Sequence, residues 1–279
     1  MPRNTFRTGH KMHPYICVTC GTQYPPSRDP PADCPICQDE RQYIGAGGQR
    51  WTTLEAMRRS HFNAWRAHEP NLLGIGTTPN FAIAQRALLL RRPDGNILWD
   101  CITLLDDATI ELVRALGGIR AIAISHPQYY SAMVEWARAF GAEIWLHEAD
   151  QAHIMRPDPS VHLWSGQTHT LADGLTLINA PGHYDGATML HWSAGAGGKG
   201  ALLSGDIFQV LPDNRFVSFM RSYPNLIPLP AKTVRAMDAV MAPYKYDRIY
   251  GAWWDRIMPS NAKANVARSV ERYLHWLES

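Results

Sequence analysis

Gly118–Ile124 is an apolar run with the length and composition of a buried strand, and it leads into Ser125-His126-Pro127-Gln128-Tyr129-Tyr130-Ser131. The stretch Ala132–Phe140 that follows has helical spacing, so this part of the chain reads strand, histidine, helix. α/β folds keep their chemistry just past such strand ends. The arrangement recurs downstream: Leu175–Ala180 leads to Pro181-Gly182-His183, and Ala201–Ser204 leads to Gly205-Asp206. Residue types that ligate metals thus stand at the ends of three apparent strands.

The rest of the chain has the texture of an ordinary globular protein. With 279 residues it can bury a large core, enough for one sizeable domain plus a small module. Its 46% hydrophobic and 19% charged residues exclude a disordered chain. A formal net charge of +2 argues against nucleic acid as a partner on electrostatics alone. No apolar run approaches the ~18 residues needed to span a bilayer. The N-terminus Met1–Arg7 is polar and lacks the apolar core of a signal peptide, so the cytoplasm is the expected compartment. Ten tryptophans are enough to allow a homodimer without requiring one.

Four of the five cysteines are paired as Cys17-x-x-Cys20 and Cys34-x-x-Cys37, while Cys101 stands alone. Thiolates two residues apart both reach one tetrahedral ion when the chain turns tightly between them, and Gly21 allows that turn. The loop between the pairs, with Pro25, Pro26, Pro30 and Pro31, hides little apolar surface, so a metal must supply the missing folding free energy. The segment resembles a rubredoxin-like zinc ribbon. Four thiolates close the coordination shell, which makes the expected zinc structural, although iron suits the same sulfurs. Cys101 reads as a small buried hydrophobe.

Taken in order, residues 1–48 form the zinc-ribbon module, 49–70 a linking helix opened by Trp51-Thr52-Thr53-Leu54-Glu55, and 71–279 the main domain. In the main domain Leu72–Ile75, Ala82–Leu90 and Ile97–Cys101 read as strands, the last two joined at Arg92-Pro93-Asp94-Gly95. Asp107–Leu116 reads as a helix capped by Asp106 or Asp107, and Pro230–Met241 and Asn261–Leu277 as amphipathic helices. Hairpins first, then strands alternating with helices, describe two sheets layered between helices.

From Asn71 onward this order of motifs resembles the metallo-β-lactamase fold superfamily. The resemblance rests on Trp99-Asp100, Ser125-His126-x-Gln128, Pro181-Gly182-His183 and Gly205-Asp206. It implies an α/β fold, an αββα sandwich with the site at one edge of the paired sheets. It also implies hydrolysis by water on a divalent ion, with zinc, iron and manganese all suited to the donors. The departures are as informative. Against the family's H-x-H-x-D-H, this chain reads His126-Pro127-Gln128-Tyr129-Tyr130-Ser131, and where the family has its last histidine it has Gly251-Ala252-Trp253-Trp254.

The resemblance therefore leaves His126, His183 and Asp206, with Gln128 as a weaker fourth donor, around one ion beside the structural zinc on Cys17, Cys20, Cys34 and Cys37. Asp206, Tyr130 or its neighbour Tyr129 as an acid or to orient an oxyanion, and Asp185 as a base are the catalytic candidates. The expected activity is a mononuclear hydrolase of small ester- or thioester-like substrates. A catalytically inactive binding protein with only the structural zinc competes with it, and a nucleic-acid processing factor stands third. His147 reads as a helix cap, and His153, His162, His169 and His191 as ordinary surface or core histidines.

Overall fold

The computed structural model describes residues 11–279; the Met1–Arg7 stretch lies outside the described residues. The cysteine module pairs strands His13–Cys17 and Gln23–Ser27 antiparallel, with Trp51–Thr52 on the other side of the first. Its turn closes through Gly21 N–H to Cys17 O, 2.8 Å, with Gly21 at φ +81°. A Cβ at Gly21 would lie 2.4 Å from Thr103 Oγ1, whose hydroxyl donates to Gly21 O at 2.9 Å. Glycine thus allows both the turn and its close seat on the main domain. Gln23 N–H donates to Ser131 O, and Arg156, ion-paired with Glu135, donates to Gln23 Oε1, which pins the same face.

Residues 49–70 correct one expectation. Instead of a linking helix they form Trp51–Thr52, a single turn Leu54–Met57 capped by Thr53, and strand Phe62–Glu69. That strand pairs antiparallel with Leu72–Thr78 and forms an edge of the main sheet, so the sheet begins before Asn71. Apolar spacing had suggested a helix, but strand pairing satisfies the backbone of both partners, a non-local gain that outweighs weak local propensity.

The first sheet has seven strands in the order Val161–Trp164, Glu143–His147, Ala121–Ala123, Ile97–Trp99, Arg86–Leu90, Leu72–Thr78, Phe62–Glu69. The first four are mutually parallel and the hairpins that follow are antiparallel. The second has six: Thr168–Ala172, Leu175–Asn179, Thr188–Trp192, Ala201–Gly205, Arg248–Gly251 and Ile257–Met258. Alternation along a strand sends successive side chains to opposite faces. Leu88, Leu90, Ile97 and Trp99 therefore meet Leu177, Leu190 and Leu203 between the sheets. Ala87, Leu89 and Leu98 face Val113, Val134 and Trp136 of the helices Asp107–Ala115 and Met133–Phe140. Helices Ala231–Met241 and Ala262–Glu278 cover the outer face of the second sheet. The fold is an αββα sandwich carrying a small cysteine module. Among the described residues, no helix is long and apolar enough to cross a membrane.

Beyond strand Arg248–Gly251, the Trp254 indole lies across the first sheet. A Cβ at Gly74 or Gly76 would come within 2.7 Å of it. Trp253 Nε1 donates to Ile83 O at 2.8 Å, and buried Arg86 donates to the carbonyls of Gly251 and Trp254. Arg86 also donates to His68 Nε2 at 3.1 Å, which fixes that nitrogen as unprotonated. Burial, with the charges of Arg86 and Arg66, holds His68 down to about 4. Between an unfolded value of 6.5 and about 4, the unfolded chain binds a proton that the folded chain refuses. Stability is therefore expected to fall as pH drops through that window. His68→Gln should lessen the fall in denaturant midpoint, and an unchanged pH slope in that variant would exonerate the residue.

Candidate functional site

Three strand ends converge at one edge of the sandwich. Strand Ala121–Ala123 runs into Ser125 and His126, which precedes the tight 3₁₀ turn Pro127–Tyr129. Asp100, at φ +57°, accepts the Ser125 N–H at 2.8 Å while its own N–H donates to Ala123 O at 2.8 Å. It thereby fixes the loop carrying His126. Burial pushes the Asp100 carboxyl up to about 7. Thr188 N–H donates to Ser125 O and joins the two sheets at this point. His183 follows Leu175–Asn179, and Asp206 follows Ala201–Gly205.

His126 Nε2 lies 2.6 Å from Asp206 Oδ1, and one donor atom each from His126, His183 and Asp206 lies within 4.8 Å of the others. The three residues are only 1%, 2% and 3% exposed. His183 Nδ1 is 3.1 Å from the Met220 carbonyl, which only accepts, so Nδ1 carries the proton. Its Nε2 is left as a buried lone pair without a partner. Burial holds His183 down to about 4. At Asp206, burial pushes upward, but the charges of His126 and His183 and the His126 hydrogen bond outweigh it, to about 2. A neutral imidazole and an ionised carboxylate are the forms that ligate a cation. The orphaned His183 Nε2 and this donor set fit a divalent ion with a position left open.

The cysteine cluster fits a metal by a separate geometric test. All four cysteines are free and buried, with Cys17–Cys37 Sγ atoms 3.5 Å apart and Cys20–Cys34 3.6 Å apart. Sulfurs at ~2.3 Å from a tetrahedral ion stand about 3.8 Å apart, close to these separations. Gln49 Nε2 donates to Cys17 Sγ and Tyr24 O–H to Cys34 Sγ, each at 3.1 Å, as thiolates require. Hydrogen bonds from Cys20 and the other cysteines hold Cys17 down, while burial pushes Cys20 up.

The remaining candidates separate. Gln128 lines the same cleft as Asp206, and its Nε2 donates to Arg41 O at 3.1 Å. Tyr130 is packed in the core towards Thr22 and Gln23 of the cysteine module, so it does not reach His126. Tyr129 does: its ring centroid is 4.3 Å from that of His126, and its buried hydroxyl has no partner. Three residues per 3₁₀ turn put His126 and Tyr129 on one face and rotate Tyr130 away. Pro127, directly after the histidine, was the available signal for such a turn. Asp185 is exposed in a surface groove with Arg221 and Lys232, outside the cluster. His147 caps the next turn through Ala149 N–H, and Cys101 is buried with its thiol pushed up by burial.

One contribution escaped sequence reasoning altogether. The segment after Cys37 folds over the site. Arg41 O accepts from Gln128 and Ser222, and the Arg41 guanidinium lies 4.4 Å above Tyr184, whose ring stacks on His126. Gln42 and Tyr43 then wall an open cleft of about 100 Å³ that Asp206 also lines.

The chain is 49% identical over 267 residues to a Bacillus subtilis (strain 168) protein described as "Uncharacterized protein YmaE", covering 95% of this chain and 97% of that one. The VMB-1 crystal structure matches with a TM-score of 0.58 at 11% identity, over 77% of this chain and 98% of that one. The mono-zinc form of metallo-β-lactamase FIM-1 from Pseudomonas aeruginosa matches with a TM-score of 0.54 at 15% identity, over 76% and 96%. The chain is a metallo-β-lactamase-fold protein of the YmaE family. No protein-family model matches it. At these identities the solved structures establish the family's fold, which covers the sandwich but leaves roughly a quarter of this chain unmatched.

Proposed function

We propose that the chain is a metal-dependent hydrolase with a single catalytic ion, acting on a small ester- or thioester-like substrate. The observation that carries the reading is the meeting of His126, His183 and Asp206 from three strand ends, with the His183 Nε2 lone pair left unpartnered. These three residues would hold the ion; Cys17, Cys20, Cys34 and Cys37 would hold a structural zinc. A divalent ion in the first site supplies Lewis acidity toward a carbonyl and lowers the pKa of water. Asp100 positions His126 through Ser125 N–H, and the Met220 carbonyl fixes the His183 tautomer. Burial keeps the Tyr129 phenol protonated, so it can donate a hydrogen bond beside Asp206. The cleft, at about 100 Å³, has room for a small group of a ligand.

A second reading, a protein without catalysis, draws on Gln128, Tyr130, Ser131 and Trp253, which stand where the resembled family has further ligands. Elemental analysis of protein prepared without chelator, read with turnover of phenyl acetate and a thioester, separates the two. The hydrolase reading expects two ions per chain in the wild type, one in His183→Ala, and loss of turnover in that variant. Retention of both metal content and turnover by His183→Ala would sink it. Wild-type protein with one ion per chain, carried by the cysteines, would favour the second reading.

A further inference from the structure

The two histidines of the site are held in different ways. The His183 ring is fixed by Nδ1 donating to the Met220 carbonyl. His126 has no such anchor: Asp100 fixes the loop that carries it, but the buried His126 Nδ1 finds no partner. A metal-ligating imidazole is ordinarily oriented by a hydrogen bond at its other nitrogen. Here aromatic packing takes that place. Tyr129 lies against His126 at a 45° tilt, and Tyr184 stacks on it with centroids 5.4 Å apart and planes 11° apart. The same Tyr184 ring meets His183 edge-on at 5.2 Å. Tyr184 is fully buried and its hydroxyl makes no hydrogen bond, so its ring is in turn set by what packs on it.

The cation on that ring comes from the cysteine module. Arg41, 8% exposed, has its guanidinium carbon 4.4 Å from the Tyr184 centroid, and a desolvated guanidinium over an aromatic face is a favourable pairing. Three successive carbonyls of its segment are held by the sandwich. Asn225 Nδ2 donates to Glu40 O and Gln42 O, and Gln128 Nε2 and Ser222 Oγ donate to Arg41 O. The side chain is held from the module: Asp39 accepts the Arg41 N–H at 2.9 Å and the guanidinium at 2.7 Å, while Asp39 N–H donates to the carbonyl of Pro35, the residue after Cys34.

We propose that Arg41 is a positioning residue for the metal centre: by holding the Tyr184 ring against His126, it does for His126 what the Met220 carbonyl does for His183. The cysteine module thereby contributes to a site whose ligands all belong to the sandwich. The inference rests on reading His126, His183 and Asp206 as a metal site.

Cobalt(II) is the probe, because its visible absorption reports the geometry of the ligands around it. A mild chelator strips the His/Asp site of the full chain, elemental analysis confirms that the cysteine ion stays, and cobalt is titrated back. Arg41→Met removes the cation while keeping the bulk and the backbone contacts. It is expected to weaken cobalt binding about tenfold, the lower end of what outer partners of a ligand contribute, and to shift the absorption band. Arg41→Lys keeps a cation for the ring and should return affinity to within about threefold of wild type. Tyr184→Leu should weaken binding at least as much as Arg41→Met, and the double variant should bind no worse than Tyr184→Leu alone, since the arginine acts through the ring. Wild-type affinity and spectrum in Arg41→Met, a lysine variant no better than the methionine one, or additive losses in the double variant would overturn the proposal. So would loss of the cysteine ion in Arg41→Met, which would show a role in seating the module instead. Wild-type protein that takes up no cobalt defeats the metal-site reading and this inference together, whereas tight binding indifferent to Arg41 defeats the inference alone.

Discussion

Cys34→Ser is expected to release one metal ion per chain and unfold the module around it. Among the described residues, the buried cluster around the cysteines adds Tyr24 and Ile36, with Trp51 and Met155 packed alongside, and Ile16 packs with Met57 and Leu104. That is too little apolar surface to hold a segment of this size without a metal. Structural zinc supplies about 10–16 kcal/mol of folding free energy in small zinc modules, as much as the whole stability of a typical domain, ~5–15 kcal/mol. Losing one of four thiolates also strands the Tyr24 hydroxyl that donates to Cys34 Sγ. The consequence extends to the cleft, because Gln42 and Tyr43, which line it, follow soon after Cys37. Elemental analysis should show the missing ion. Limited proteolysis should cut within 13–52 while the sandwich resists. A Cys34→Ser protein with full metal content and an uncut N-terminal module would show that four sulfurs at this spacing hold nothing.

The second large effect is expected at Asp206, where two substitutions pull fold and function apart. Asp206→Ala removes the acceptor of His126 Nε2 in a fully enclosed site, where the His126 Nδ1 already has no partner. An unpaired buried polar or charged group costs about 1–5 kcal/mol, so this variant should lose a substantial part of its stability. Asp206→Asn keeps the shape and an acceptor oxygen but loses the charge. Its stability should fall by less, about 1–2 kcal/mol, while metal affinity at the His126/His183 site falls more than ~100-fold, since even outer partners of a ligand are worth 10–100-fold. Denaturation midpoints and metal titration of the two variants check this. Equal metal affinity in Asp206→Asn and wild type would remove the carboxylate from the site.

The fold was readable because its signals are local and repeated. Leu175–Asn179 and Ala201–Gly205 end on Pro-Gly-His and Gly-Asp, and Asp106 caps its helix, its side chain accepting the Thr109 N–H at 2.7 Å. The cysteine pairs were readable for the same reason. Phe62–Glu69 was not, because its strand character is conferred by Leu72–Thr78 across a hairpin. Nor were the edge strands Val161–Trp164 and Thr168–Ala172, where His162 and His169 stack on Trp145 and break the apolar pattern. Within the site, His126, His183 and Asp206 announced themselves by position, whereas the choice between Tyr129 and Tyr130 depended on the pitch of one turn. Gln42 and Tyr43 had no signal at all. Their place follows from how one module lies on another.

The paired indoles after strand Arg248–Gly251 give this chain a direction in time. Trp254 fills the space that Gly74 and Gly76 leave open, Trp253 holds the Ile83 carbonyl, and Arg86 is anchored to the backbone around them. A histidine restored at either position would remove a half-buried indole, at about 2–4 kcal/mol, before any second ion had a full set of ligands to reward it. Each such substitution therefore passes through a less stable protein. Packing thus acts as a ratchet that holds both indoles where they stand.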